Sequence, residues 1–200
     1  MGTNMAFNLF RKNDTETTTV AAPASSPLND LEGTYTLDAS HTTIGFVARH
    51  AMVTKVRGSF GEFVGTATTG RNLEGAKIDV TIQVASVDTK SPDRDGHLQS
   101  ADFFDVASYP TITFTSTDIT ASGDVLAVTG DLTIKDVTKS VTIDFEYAGA
   151  ALDPFGNTRL GLEGSVVVDR KDFGLVWNAA LETGGVLVSD KITLEFEISA

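Results

Sequence analysis

The feature that most limits what this chain can become is an apolar–polar alternation of period two that recurs along most of its length. Ile78, Val80, Ile82 and Val84 alternate with Asp79, Thr81 and Gln83, and Val141, Ile143, Phe145 and Tyr147 alternate with Thr142, Asp144 and Glu146. Near the C-terminus Ile192, Leu194, Phe196 and Ile198 alternate with Thr193, Glu195 and Glu197. Successive side chains of a strand point to opposite faces, so each run has one dry and one wet face, the mark of antiparallel pairing. Further strands are expected near 34–38, 43–50, 56–68, 111–121, 124–134 and 159–170. Turn residues at Ser122-Gly123-Asp124, at Lys135-Asp136 and around Pro154, Gly156 and Asn157 separate them. Val87 falls on the opposite side from Ile82, and this slip of phase predicts a bulge or bend near Ser86.

Many strands with one apolar face make a sandwich or a closed barrel. Lys77 to Val87 spans about 35 Å at ~3.3 Å per residue. Tilted by roughly 40°, strands of that length make a tall barrel, and about eight of them leave an interior filled by side chains or by one slender ligand. The expected class is therefore all-β, an antiparallel β-barrel of about eight strands. The phrase Asp93-Arg94-Asp95-Gly96-His97-Leu98 through Ala101-Asp102-Phe103-Phe104-Asp105 to Tyr109-Pro110 breaks the pattern. A structureless stretch of that length inside a compact domain is uncommon and often functional. It is expected to lie over the barrel mouth as a long loop with a short helix, capped by Asp93 and ended by Pro110. Gly45, Gly58, Gly61, Gly65, Gly130, Gly161 and Gly164 lie in or beside strands, where they relieve bending or clear space for a ligand.

Residues 1–32, rich in Thr, Ser and Pro, read as a disordered tail whose first residues resemble a cloning remnant, and 33–200 as one barrel domain. The Phe7, Leu9, Phe10 group beside Arg11 and Lys12 leaves room for transient membrane contact. No signal-type hydrophobic segment is evident, so a cytoplasmic location is expected. The net charge of −12 argues against sequence-independent nucleic-acid binding, which needs clustered cations, and against binding to an anionic membrane surface. With no cysteine, the chain has neither disulfides nor a thiol for chemistry.

The large rings Phe46, Phe60, Phe63, Phe114 and Trp177 are candidates for the barrel lining, and Phe103 and Phe104 for a plug or lid. Val80, Ile82, Val84 and Phe145 join them from the dry strand faces, with Leu98 and His50 near the mouth. Arg94 and His97 are candidates for a polar head group, since guanidinium forks onto phosphate oxygens; the competing role for Arg94 is to hold its own loop with Asp95 and Asp105. His41, His50 and His97 have no metal-ligand spacing. Asp102 and Asp105 form an acid pair, yet no Ser-His-Asp order and no Gly-rich phosphate loop accompanies them, so no enzyme is expected. Arg170 and Asp172 are expected to form an ion pair.

From Gly33 to Ala200 the chain resembles the YceI-like proteins. The resemblance rests on Tyr35-Thr36-Leu37-Asp38 through Gly45-Phe46, Ala48-Arg49-His50, Gly58-Ser59-Phe60 and Phe63-Val64-Gly65. It continues through Ala85-Ser86-Val87-Asp88-Thr89, the charged and aromatic phrase above, Gly130-Asp131-Leu132-Thr133-Ile134 and Arg170-Lys171-Asp172-Phe173-Gly174 with Trp177. Two positions depart from the pattern: Thr42 stands where Ser is usual, and Asp136 where Gly is common. The resemblance implies a lipocalin-like barrel that binds, stores or transports a polyisoprenoid, whether a prenyl pyrophosphate or a quinone-like lipid. It implies no other cofactor, and it allows a homodimer. Two rival readings remain: a small-molecule enzyme or haem-type pocket using His50 or His97, and an interaction module whose barrel is plugged by its own rings.

Overall fold

The structure is a computed structural model that describes residues 26–154, 156–182 and 184–200. Its strands are β1 (Gly33–Thr36), β2 (Thr43–His50), β3 (Thr54–Phe60), β4 (Phe63–Thr69), β5 (Lys77–Gln83), β6 (Val87–Asp88), β7 (Thr111–Ser122), β8 (Val125–Ile134), β9 (Val137–Leu152), β10 (Thr158–Asp169) and β11 (Lys191–Ser199). All pair antiparallel in one sheet of order β1-β4-β5-β7-β8-β9-β10-β11-β2-β3-β6. The chain itself bends this sheet round. β6 follows β5 through a single 3₁₀ turn, Val84–Ser86, so pairing Phe60 with Val87 and Ser59 with Asp88 returns one end of the sheet to its middle. On the opposite rim the Leu37 amide donates to the Gly65 carbonyl at 3.0 Å and the Asp38 amide to the Ser199 carbonyl at 2.8 Å, tying β1 and β4 to β11. Thr42 strengthens that seam: its hydroxyl donates to the Ser199 carbonyl and accepts from the Ser199 amide, both at 3.0 Å.

The class is as expected, but the count of eleven strands among the described residues exceeds about eight. Bends divide two long runs. The run expected over 56–68 breaks at Gly61-Glu62 into β3 and β4, and the 3₁₀ turn at the expected bend near Ser86 separates β5 from β6. Helix α1 (Pro92–Gln99) occupies the expected loop, with Ser91 rather than Asp93 at its N-cap; Asp93 falls in the first turn. At the β8–β9 turn the residue in the left-handed region is Lys135, at φ 58°, so Asp136 is not under the constraint that a glycine there would relieve.

The boundary at residue 33 also moves. Residues 1–25 lie outside the described residues, but Pro27–Asp30 form a 3₁₀ turn and Leu28 is completely buried. The Ser26 hydroxyl accepts from the Leu28 amide at 3.2 Å and donates to the Gly123 carbonyl in the β7–β8 turn at 2.5 Å. Leu28 thereby joins Leu126, Val128, Ile143, Phe145, Leu160 and Leu162 in a cluster at one end of the barrel. A second cluster at the α1 end holds Ile44, Phe60, Phe63, Ile82, Val84, Val87, Phe103, Ile112 and Phe173.

Four strand glycines have a specific use. A methyl group on Gly164 would stand 2.7 Å from the Phe145 ring, and one on Gly65 2.5 Å from Leu37 Cδ1. Methyl groups on Gly58 and Gly130 would collide with the rings of Phe46 and Phe114. Large inward side chains therefore lie back against the bare backbone of a neighbouring strand, in the wall rather than on the axis. These glycines do clear space, and the side chains of the barrel itself take it.

Candidate functional site

Residues of both clusters line a cavity of about 160 Å³. Each bounding strand sends alternate residues into it: Tyr35 from β1, with Leu37 just after it, Ile78, Val80 and Ile82 from β5, Ile112 and Phe114 from β7, and Leu126, Val128, Leu132 and Ile134 from β8. Val141, Ile143 and Phe145 from β9, Leu160 and Leu162 from β10, and Leu194, Phe196 and Ile198 from β11 complete most of the wall. Phe145 and Phe196 face each other with ring centroids 5.9 Å apart. Among the described residues no buried side-chain nitrogen or oxygen lacks a hydrogen-bond partner. The interior thus carries no polar demand, and an apolar void of this kind is not filled favourably by water, which needs two to four polar partners.

The candidates from sequence divide into three groups. Phe60, Val80, Ile82, Phe114 and Phe145 line the cavity. Phe46, Phe63, Val84, Leu98, Phe103, Phe104 and Trp177 do not; they pack into the cluster at the α1 end. There Phe60 meets Phe46 at 5.9 Å and Phe104 at 6.0 Å, and Trp177 meets Phe103 at 5.3 Å. These rings form the plug expected of Phe103 and Phe104, over more residues than expected.

The polar candidates stand outside. His50 is exposed at the end of β2, where it forms a backbone bridge with Val188. His97 is held by Asp102, with Nε2 2.9 Å from the carboxylate, and its ring stands edge-on to Trp177 at 4.6 Å and to Phe103 at 5.1 Å. Arg94 turns to its own loop: Nε donates to the Thr89 hydroxyl at 2.7 Å and an Nη to the Thr89 carbonyl at 2.6 Å. Asp95 accepts from the amide and the hydroxyl of the same buried Thr89, at 2.9 and 2.5 Å. Arg94 and His97 thus both bond within their own loop, as the competing role expected of Arg94, though Arg94 meets Asp95 through Thr89 and not through Asp105. The histidine-based pocket loses its geometry, since the cavity wall contains neither His50 nor His97. Among the described residues no group of three or more His, Asp or Glu side chains is placed to hold a metal ion.

Sequence reasoning also missed Arg170 as the organiser of the plug. Its expected partner was Asp172; its actual ion-pair partner is Asp190, at 3.3 Å. The guanidinium is 5 % exposed and donates to the carbonyls of Ser189 at 2.9 Å and Trp177 at 2.8 Å, and to that of Leu175. Burial pushes its pKa below the usual arginine value while the carboxylates of Asp190 and Asp169 oppose that shift. One buried cation thus gathers the segment from Leu175 to Asp190 and fixes Trp177 against α1.

Comparison with known proteins agrees with this architecture. A family model described as a YceI-like domain matches residues 35–200. Protein YceI of Escherichia coli O157:H7 is 41 % identical over 139 residues, covering 69 % of this chain and 73 % of that protein. The crystal structure of a Campylobacter jejuni YCEI protein superposes with a TM-score of 0.64 at 32 % identity, over 83 % of this chain and 96 % of that one. A polyisoprenoid binding domain from Saccharophagus degradans, implicated in plant cell wall breakdown, shares the fold with a TM-score of 0.63 at 16 % identity, over 84 % and 98 % of the two chains.

Proposed function

The chain belongs to the YceI-like domain family, and from that premise we propose that it binds a polyisoprenoid lipid in its barrel and stores or carries it without chemical change. The observation that carries this reading is the cavity, whose wall is built almost entirely of apolar side chains drawn from both hydrophobic clusters. Such a site has nothing to polarise a bond and much to gain from hydrocarbon, at roughly 0.8 kcal/mol for each CH₂ buried. The structural neighbour named for polyisoprenoid binding supports the choice of hydrocarbon. The branched, unsaturated isoprene chain has fewer rotatable bonds per carbon than a saturated acyl chain, so for equal apolar bulk it loses less freedom on entering a narrow tube.

The volume sets a limit. An apolar void of roughly 150 Å³ holds a benzene ring, so a chain of several isoprene units widens the cavity as it enters. Leu28 belongs to a short N-terminal turn and packs behind Leu126, Val128, Leu160 and Leu162, which line the cavity, whereas the rings at the α1 end pack against a segment held by Arg170, so the Leu28 end is the one that widens. The test titrates neutral polyprenols of increasing length into delipidated full-length protein. Affinity is expected to rise with each isoprene unit and then level off, and Leu28→Ala is expected to move the plateau to longer chains. Affinity that does not depend on chain length contradicts the reading.

A further inference from the structure

The β2–β3 hairpin, at the same end of the barrel as α1, is built unlike the rest of the surface. At its tip Met52 is 57 % and Val53 79 % exposed. Ala51 and Met52 both lie in the left-handed region, at φ 50° and 61°. Positions of this kind in a tight hairpin favour Asn and Gly; here an exposed Met takes one at a conformational cost. Just behind the tip Arg49 and Lys55 stand directly opposite each other across the strand pair. Like charges in that register repel. Among the described residues neither is paired with a carboxylate, whereas Arg57 is held by Glu195 at 2.7 Å and Lys191 by Asp169 at 3.3 Å. Arg49, Lys55 and Lys191 border one groove of about 420 Å³ together with Met52 and Val167, and Val167 is 60 % exposed.

A strained, repulsive, greasy tip is poorly explained by stability, since each of its features costs the folded state. We infer that this hairpin is a docking surface for an anionic lipid bilayer, with Met52 and Val53 entering the interface and Arg49 and Lys55 meeting lipid phosphates. Aliphatic side chains beneath a ring of cations are the chemistry that an anionic membrane surface selects. The net charge of −12 does not forbid it, because charges more than about 8 Å away are largely screened at physiological salt. Glu182 in the nearby turn opposes the patch, and the other acids around it are already paired. This surface places the α1 end against the bilayer, and it holds whatever the cavity contains.

The test uses full-length protein and vesicle flotation, with phosphatidylcholine vesicles and with phosphatidylcholine–phosphatidylglycerol vesicles, none containing isoprenoid. Wild-type protein is expected to float with the anionic vesicles and not with the neutral ones, and to be released by salt. The R49Q/K55Q variant is expected to bind about thirty-fold more weakly, from the loss of two surface-proximal cations. The M52S/V53S variant is expected to lose binding as well, while neither variant melts below the wild-type protein. Absence of binding to anionic vesicles overturns the inference. So does equal binding to neutral vesicles, or wild-type binding by either variant, which assigns the contact to another part of the chain.

Discussion

Ile82→Asp is expected to unfold the protein or to remove most of its stability. Ile82 is 8 % exposed, sits between Phe63 on β4 and Ile112 on β7, and faces the cavity. A carboxylate there has no cation or hydrogen-bond donor to meet it, and burying an unpaired polar or charged group costs several kcal/mol. Folded domains of ordinary size hold only about 5–15 kcal/mol in all. Ile82→Val is the control for lost volume alone, at about 0.5–1.5 kcal/mol. Urea unfolding of the two variants separates charge from shape. An Asp variant as stable as the Val variant contradicts the inward orientation of β5.

Arg170→Leu is expected to produce the second large effect, at a different level of structure. The substitution keeps a buried apolar stem but removes the donors to the Leu175, Trp177 and Ser189 carbonyls and one partner of Asp190. Asp190 is 38 % exposed and keeps Lys171 at 2.9 Å, so the main cost is the buried carbonyls left without a donor, about 1–3 kcal/mol each. The loss is local before it is global, because the stranded carbonyls all belong to the segment that carries Trp177. The chain has a single tryptophan, so its fluorescence reports this region alone. A red-shifted emission spectrum is expected under conditions where the far-ultraviolet circular dichroism stays native. Arg170→Lys keeps the charge but not the planar fork, and is expected to restore only part of the native spectrum. Unchanged fluorescence in Arg170→Leu contradicts the organising role.

What the sequence disclosed follows from what is local. The dry faces of β5, β9 and β11 were legible because alternation within one strand is a property of neighbouring residues. Ile78, Val141, Ile143, Leu194, Phe196 and Ile198 all carried that signal, although none stood among the candidate ligand-binding residues. Height along the barrel was not legible. Ile44 and Phe46 share a face of β2, yet Ile44 borders the cavity and Phe46 packs into the plug. Which of the two a residue meets depends on strand tilt and register, which are fixed by the pairing of distant segments.

Two further misses have different causes. Leu28 is a single apolar residue amid Ser and Pro, and one residue has no periodicity, so nothing set it apart from a tail. The partners of Arg170 and Arg94 are mostly backbone carbonyls and a threonine hydroxyl, which leave no trace in residue type. Asp172 near Arg170, and the pairing of Arg94 with His97, therefore looked more telling than they are. The glycines were ambiguous for a similar reason: the rings that lean on Gly58, Gly130 and Gly164 arrive from neighbouring strands.

The central claim is that the barrel is a hydrocarbon-holding tube, and native mass spectrometry of the full chain, gently purified from cells that make isoprenoids, tests it most directly. The account predicts a complex heavier than the polypeptide by one lipid, whose mass on dissociation belongs to a series spaced by whole isoprene units. A polypeptide that emerges at its bare mass, or with straight-chain lipids alone, contradicts it.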